Sequence, residues 1–118
     1  MQIKVRQYDL LSDLLVEKVV DGTIFSENLL AYSMDENNVK VSINDDEILL
    51  VNKSSQGITT IHLIDGRGEC RVVSPLGELV FEAIVDAFAC QNQEISLKYR
   101  LVANGEVVSH YQYEWKGI

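Results

Sequence analysis

The chain has one proline, Pro75, among 118 residues, no serine- and glycine-rich stretch and no internal repeat. It therefore offers no linker at which to divide, and its length suits a single domain, residues 1–118, with one core. Cations are scarce as well: ten Lys and Arg face eighteen Asp and Glu, for a formal net charge of -8 and a pI of about 4.6. Nonspecific nucleic-acid binding depends on Lys and Arg displacing phosphate counterions, so neither nucleic acid nor an anionic membrane surface is an expected partner. Cysteine is limited to Cys70 and Cys90, without a CxxC or HxxxH spacing. That excludes the usual zinc frameworks and suggests reduced thiols rather than a disulfide. No run approaches the eighteen apolar residues of a membrane-spanning helix, and Met1 to Arg6 mixes charge with apolar residues where a signal peptide would be uniformly apolar. A cytoplasmic protein is expected.

Catalytic and phosphate-binding signatures are equally thin. There is no GxSxG elbow for a nucleophilic serine. Asp65-Gly66-Arg67-Gly68 has glycines that would let amides approach an anion, but no Lys-Ser/Thr follows, so a turn is the expectation. His62 lies in an alternating run and His110 opposite the tyrosines of its own strand, which suits solvent-facing or hydrogen-bonded structural roles. No enzyme, metal or cofactor is implied.

What is present is 47% apolar and 24% charged sequence, cut into short β-rich runs by turn signals. The expected strands are 3–8, 15–20, 23–34 with a break near Ser26 to Asn28, 39–43, 47–53, 58–64, 69–73, 79–90, 94–102 and 106–116. Turn residues separate them, among them Asp21-Gly22, Glu36-Asn37-Asn38, Asn44-Asp45-Asp46, Asp65 to Gly68 and Asn104-Gly105. The spacing is that of an all-β sandwich or barrel.

The last hairpin carries the clearest alternation. Ile95, Leu97, Tyr99 and Leu101 share one face of the first arm; Val107, Ser109, Tyr111, Tyr113 and Trp115 share one face of the second. A two-residue Asn-Gly turn would set apolar positions opposite polar ones, since a slip of one residue flips every side chain. A three-residue loop, Ala103-Asn104-Gly105, instead pairs Leu101 with Val107 and Tyr99 with Ser109, and is the predicted register. Between Ser74 and Phe88 two periods coexist. Glu78, Glu82 and Asp86 at spacings of four suit a capped helix, whereas Leu79, Phe81, Ala83, Val85, Ala87 and Ala89 alternate as one face of a long strand.

From Cys70 to Lys116 the residues Ser74-Pro75-Leu76-Gly77-Glu78-Leu79, Ile95-Ser96-Leu97-Lys98-Tyr99, Asn104-Gly105 and Tyr111-Gln112-Tyr113-Glu114-Trp115 follow a known pattern. The stretch resembles the second half of the YwiB-like family, small uncharacterised bacterial proteins with a lipocalin-like, calycin-type β-barrel. Ser74 stands where that family has threonine. The first half matches more loosely through Gly22, Leu30-Ala31-Tyr32 and Lys53, where the family tends to arginine. The resemblance implies an antiparallel meander of about 8 to 10 strands, closed or nearly closed into a barrel, with residues 79–90 as strand. It implies no activity and no catalytic residues.

Two functional readings follow. In the first, Tyr99, Tyr111, Tyr113 and Trp115 line a lumen that holds a small, partly apolar molecule and hydrogen-bonds its polar end; the same rings could instead simply fill a narrow barrel. In the second, the protein is a ligand-free interaction module for another protein. It would act through acidic loops (Asp35, Glu36, Asp45, Asp46, Glu47) or through a strand face where Val80, Ile84 and Phe88 accompany Glu78, Glu82 and Asp86. Those carboxylates, about 13 Å apart along a strand, are too distant for paired acid–base work.

Overall fold

A computed structural model describes residues 1–24 and 29–118. Its strands are β1 (Gln2–Asp9), β2 (Leu14–Ile24), β3 (Leu29–Met34), β4 (Asn37–Asn44), β5 (Glu47–Ser54), β6 (Gly57–Ile64), β7 (Arg67–Ser74), β8 (Gly77–Gln91), β9 (Glu94–Ala103) and β10 (Glu106–Gly117). Each pairs antiparallel with its neighbour in sequence, and β1 pairs with β10 to close the barrel. The alternation explains the core: Ile3 and Val5, Val39, Val41 and Ile43, Ile48 and Leu50, Ile61 and Leu63 all point inward and are buried. Residues 77–91 are strand, as the resemblance implied, and the helical period is incidental.

The hairpin register differs from expectation. Ala103 pairs with Glu106, so the turn is the two-residue Asn104-Gly105, with φ of 54° and 78° respectively. Both residues are left-handed, the turn whose twist matches a hairpin. A bulge between Val107 and Ser109 then supplies the extra residue. Leu101 consequently faces Ser109, Tyr99 faces Tyr111, Leu97 faces Tyr113 and Ile95 faces Trp115. Val107 pairs with Val102 on the outside, not with the tyrosine face.

A second bulge, between Val85 and Ala87, acts likewise on β8. Leu79, Phe81, Ala83 and Val85 share one face as expected, with Ala83 buried, Phe81 and Val85 packed against the core and Leu79 exposed. Beyond the bulge Phe88 and Cys90 take over that face opposite Leu97 and Ile95, Cys90 packed against the core and Phe88 exposed, while Ala87 and Ala89 lie on the other face. Phe88 therefore does not share a face with Val80 and Ile84.

Asp21-Gly22 is not a turn but lies within β2. A Cβ at Gly22 would stand 2.8 Å from the Ala31 carbonyl oxygen and 2.9 Å from the Tyr32 Cβ. Glycine is thus needed where β3 crosses closely to close the barrel. Among the described residues Gly22↔Tyr32, Thr23↔Ala31 and Ile24↔Leu30 join β2 to β3, and Lys18 bridges to Asp35 at 2.7 Å further along that seam. The expected break near Ser26 to Asn28 lies outside the described residues.

Candidate functional site: the mouth of the barrel

The barrel's two ends differ because the inward positions change chemistry along the strands. At one end, marked by the turns 45–46, 65–66 and 92–93, Ile43, Ile48, Leu63, Ala83 and Ile95 fill the interior. Backbone hydrogen bonds lace that end, Asp65 N–H donating to Asp46 O at 3.0 Å between two turns and Gly117 N–H at the end of β10 donating to Gln93 O at 3.0 Å. Toward the other end the same inward rows turn polar. Gln7 follows Ile3 and Val5; Asn37 precedes Val39; Asn52 follows Ile48 and Leu50; Thr59 precedes Ile61 and Leu63.

These side chains border a cleft of about 660 Å³ among the β3–β4, β5–β6 and β7–β8 hairpin tips, where Asn52, Thr59 and Ser54 face Val72 and Leu76. Beneath it lies an internal cavity of about 50 Å³ touched by Gln7, Tyr32, Met34, Asn52 and Tyr113. Asn37 and Asn52 line both spaces. Asn52 Oδ1 is shielded from solvent and accepts no hydrogen bond among the described residues, an arrangement that costs about 1–3 kcal/mol until a donor reaches it.

The four rings singled out from sequence pack against one another inside the barrel at different depths, and none of them lines the cleft. Trp115 and Tyr99 are only 1% and 3% exposed and belong to the core. Trp115 Nε1 donates to the Tyr32 hydroxyl at 2.9 Å. Tyr113 stacks on Trp115 with centroids 5.1 Å apart and planes 8° from parallel, and lies parallel to Tyr99 at 6.2 Å. Tyr111 is tilted 48° against Tyr99 at 6.0 Å, nearer the mouth. Only Tyr113 of the four borders the internal cavity. Burial pushes the Tyr32 phenol up to about 12, and raises those of Tyr99 and Tyr113 well above their ordinary value. All three stay neutral at physiological pH, able to donate as well as accept.

The histidines are held elsewhere. His62 lies outside the barrel with Nε2 3.4 Å from Glu47. His110 Nε2 meets Asp86 at 3.0 Å on the outer face, where Arg100 Nε also donates to Asp86 at 2.9 Å. Asp65-Gly66 is the turn expected there, its φ angles 53° and 81°. Among the described residues no group of three or more His, Cys, Asp or Glu could hold a metal ion.

Sequence reasoning missed the polar half of the site: Gln7, Asn37, Asn52 and Thr59. The available signal was a polar residue at the inward parity of an otherwise apolar row, most clearly Asn52 after Ile48 and Leu50.

No protein-family model and no curated protein matches the chain. Among solved structures, the crystal structure of the ywiB protein from Bacillus subtilis is similar, with a TM-score of 0.63 over 99% of this chain and 89% of that chain. At 12% identity the likeness is one of fold.

Proposed function

We infer that the chain is a small-molecule-binding barrel whose site is the mouth, and that it is a cytoplasmic bacterial relative of the YwiB-like, calycin-type proteins. The ligand sits in the cleft with its apolar part against Val72 and Leu76. Its polar end reaches down to Asn52 and Thr59. The interior below is packed by Trp115, Tyr99 and their aliphatic neighbours, so the ligand occupies the outer third of the barrel, not its axis.

The observation that carries this reading is the unpaired, solvent-shielded Asn52 Oδ1 at the junction of the cleft and the internal cavity. Buried polar atoms in folded proteins find partners, and because the Asn52 side chain borders the cleft, a small rotation brings its unpaired oxygen to a ligand donor. An apolar wall with a few convergent polar groups is the usual composition of a small-ligand site.

The test is a fragment titration followed by amide and methyl NMR shifts. Binding at the mouth moves the signals of Asn52, Thr59 and Val72, and Asn52→Leu abolishes those shifts for donor-bearing fragments. Shifts confined to other surfaces, or unchanged in the variant, would contradict the reading.

A second reading, docking of a basic protein segment, is favoured by one observation. The Asp65 N–H to Asp46 O hydrogen bond draws the acidic 45–46 and 65–66 turns together at the packed end. It predicts salt-sensitive binding of cationic peptides that the variants Asp45→Asn and Asp46→Asn weaken.

A further inference from the structure

A second concavity, larger than the mouth cleft, lies on the outside of β2–β5, a groove of about 870 Å³ that shares no lining residue with that cleft. Its walls are the outward positions: Asn38 and Lys40 alternate with buried Val39 and Val41, and Leu49 and Val51 alternate with buried Ile48 and Leu50. Leu29, Ala31, Leu49 and Val51 give it an apolar floor, although outward positions of a solvated barrel are normally polar. β5 thus carries apolar side chains on both faces.

The charges around the floor are unusual for this molecule. Of its ten Lys and Arg, Lys4, Arg6, Lys18, Arg67, Arg71 and Arg100 are each within ion-pair distance of a carboxylate. Among the described residues Lys40, Lys53, Lys98 and Lys116 have no such partner, and Lys40 and Lys53 both line the groove. Asn38 pairs with Lys53 and Lys40 with Val51, so the two lysines are diagonal neighbours on one face. Diagonal positions are roughly 7–8 Å apart, within reach of one head group for two flexible ammonium side chains. Among the described residues Asp21 is the acidic one on the groove wall.

We propose that this groove binds an amphipathic anion, its apolar body on Leu29, Ala31, Leu49 and Val51 and its charged head between Lys40 and Lys53. In a chain of net charge -8, leaving two adjacent cations without carboxylate partners keeps one local position attractive to an anion. The proposal stands independently of the mouth reading, because the groove and the mouth cleft share no lining residue.

The experiment titrates the intact protein with dodecanoate below its micelle concentration and follows methyl and amide shifts, with dodecyltrimethylammonium as the cationic comparison. The expected result is shifts at Leu29, Leu49 and Val51, weaker binding by about tenfold or more in Lys40→Gln/Lys53→Gln, and no change of affinity in Asn52→Leu. Both lysines are exposed, and an unchanged spectrum of the free variant verifies its fold. Shifts confined to Thr59 and Val72 would transfer the ligand to the mouth and overturn the groove. Equal binding of the cation, an unaffected double variant, or no shift at all would overturn it too.

Discussion

At the scale of single residues, the interior rests on one polar pair inside an aromatic stack. Trp115 Nε1 has the Tyr32 hydroxyl as its acceptor at 2.9 Å. Tyr32→Phe leaves that indole N–H buried without a partner and is expected to lower stability by about 1–3 kcal/mol in chemical denaturation. Trp115→Ala removes the stack itself, with an expected loss of about 3–5 kcal/mol. Asn52→Leu has the opposite sign: replacing a buried, unpaired acceptor by an apolar group leaves stability unchanged or raises it, while mouth binding is lost. That combination distinguishes a residue kept for binding from one kept for packing.

Alkaline pH tests the same interior. Burial raises Cys70 from 9.0 to about 11 and Tyr32 from 10.0 to about 12. In each case the folded chain holds a proton that the unfolded chain releases, so the contribution is complete below pH 9 and is lost as pH rises from about 9 to about 12. The expected outcome is a falling thermal midpoint across that window, with a shallower fall in Tyr32→Phe.

At the scale of elements, β9 was fully legible and its two neighbours were not, for a physical reason. β9 alternates without a break, Ile95, Leu97, Tyr99 and Leu101 all buried. β8 and β10 each carry a bulge, and one extra residue is invisible to a period-two reading where apolar side chains occupy both parities, as in Val107-Val108 and Val85 to Ala89. The aromatic face of β10 was nonetheless correctly grouped from Ser109 to Trp115, because that part lies beyond the bulge. Asp21-Gly22 misled for a different reason: glycine before a neighbouring backbone and glycine in a turn look alike in one sequence. Gly22→Val places a side chain against the Ala31 carbonyl and Tyr32, and is expected to cost about 1–3 kcal/mol or more. Amide exchange should then quicken first at Thr23 and Ala31, the pair next to Gly22↔Tyr32 in the seam between β2 and β3.

At the scale of the whole molecule, closure follows from the meander: ten strands paired in sequence order bring β10 beside β1, and Ile3 to Asp9 zip against Gly117 to Tyr111. The resulting interior is apolar and sealed at the end of the 45–46 and 65–66 turns, and polar and open at the other. Composition could not reveal that polarity, because Gln7, Asn37, Asn52 and Thr59 lie on four different strands and strand pairing and barrel closure bring them to one end. The aromatic cluster of Tyr99, Tyr111, Tyr113 and Trp115 was legible because the paired strands β9 and β10 carry it in regular alternation. The groove with Lys40 and Lys53 was hidden for the reason that hid the bulges, since Ile48-Leu49-Leu50-Val51 reads as a buried strand whichever way its side chains point.

The central claim is that the mouth holds a small molecule, and its most direct test is native mass spectrometry of the protein purified gently from its own cells beside the Asn52→Leu variant. The expected result is a reproducible added mass that disappears on denaturation and is absent from the variant. An identical spectrum for both proteins, whether bare or carrying the same adduct, would contradict it.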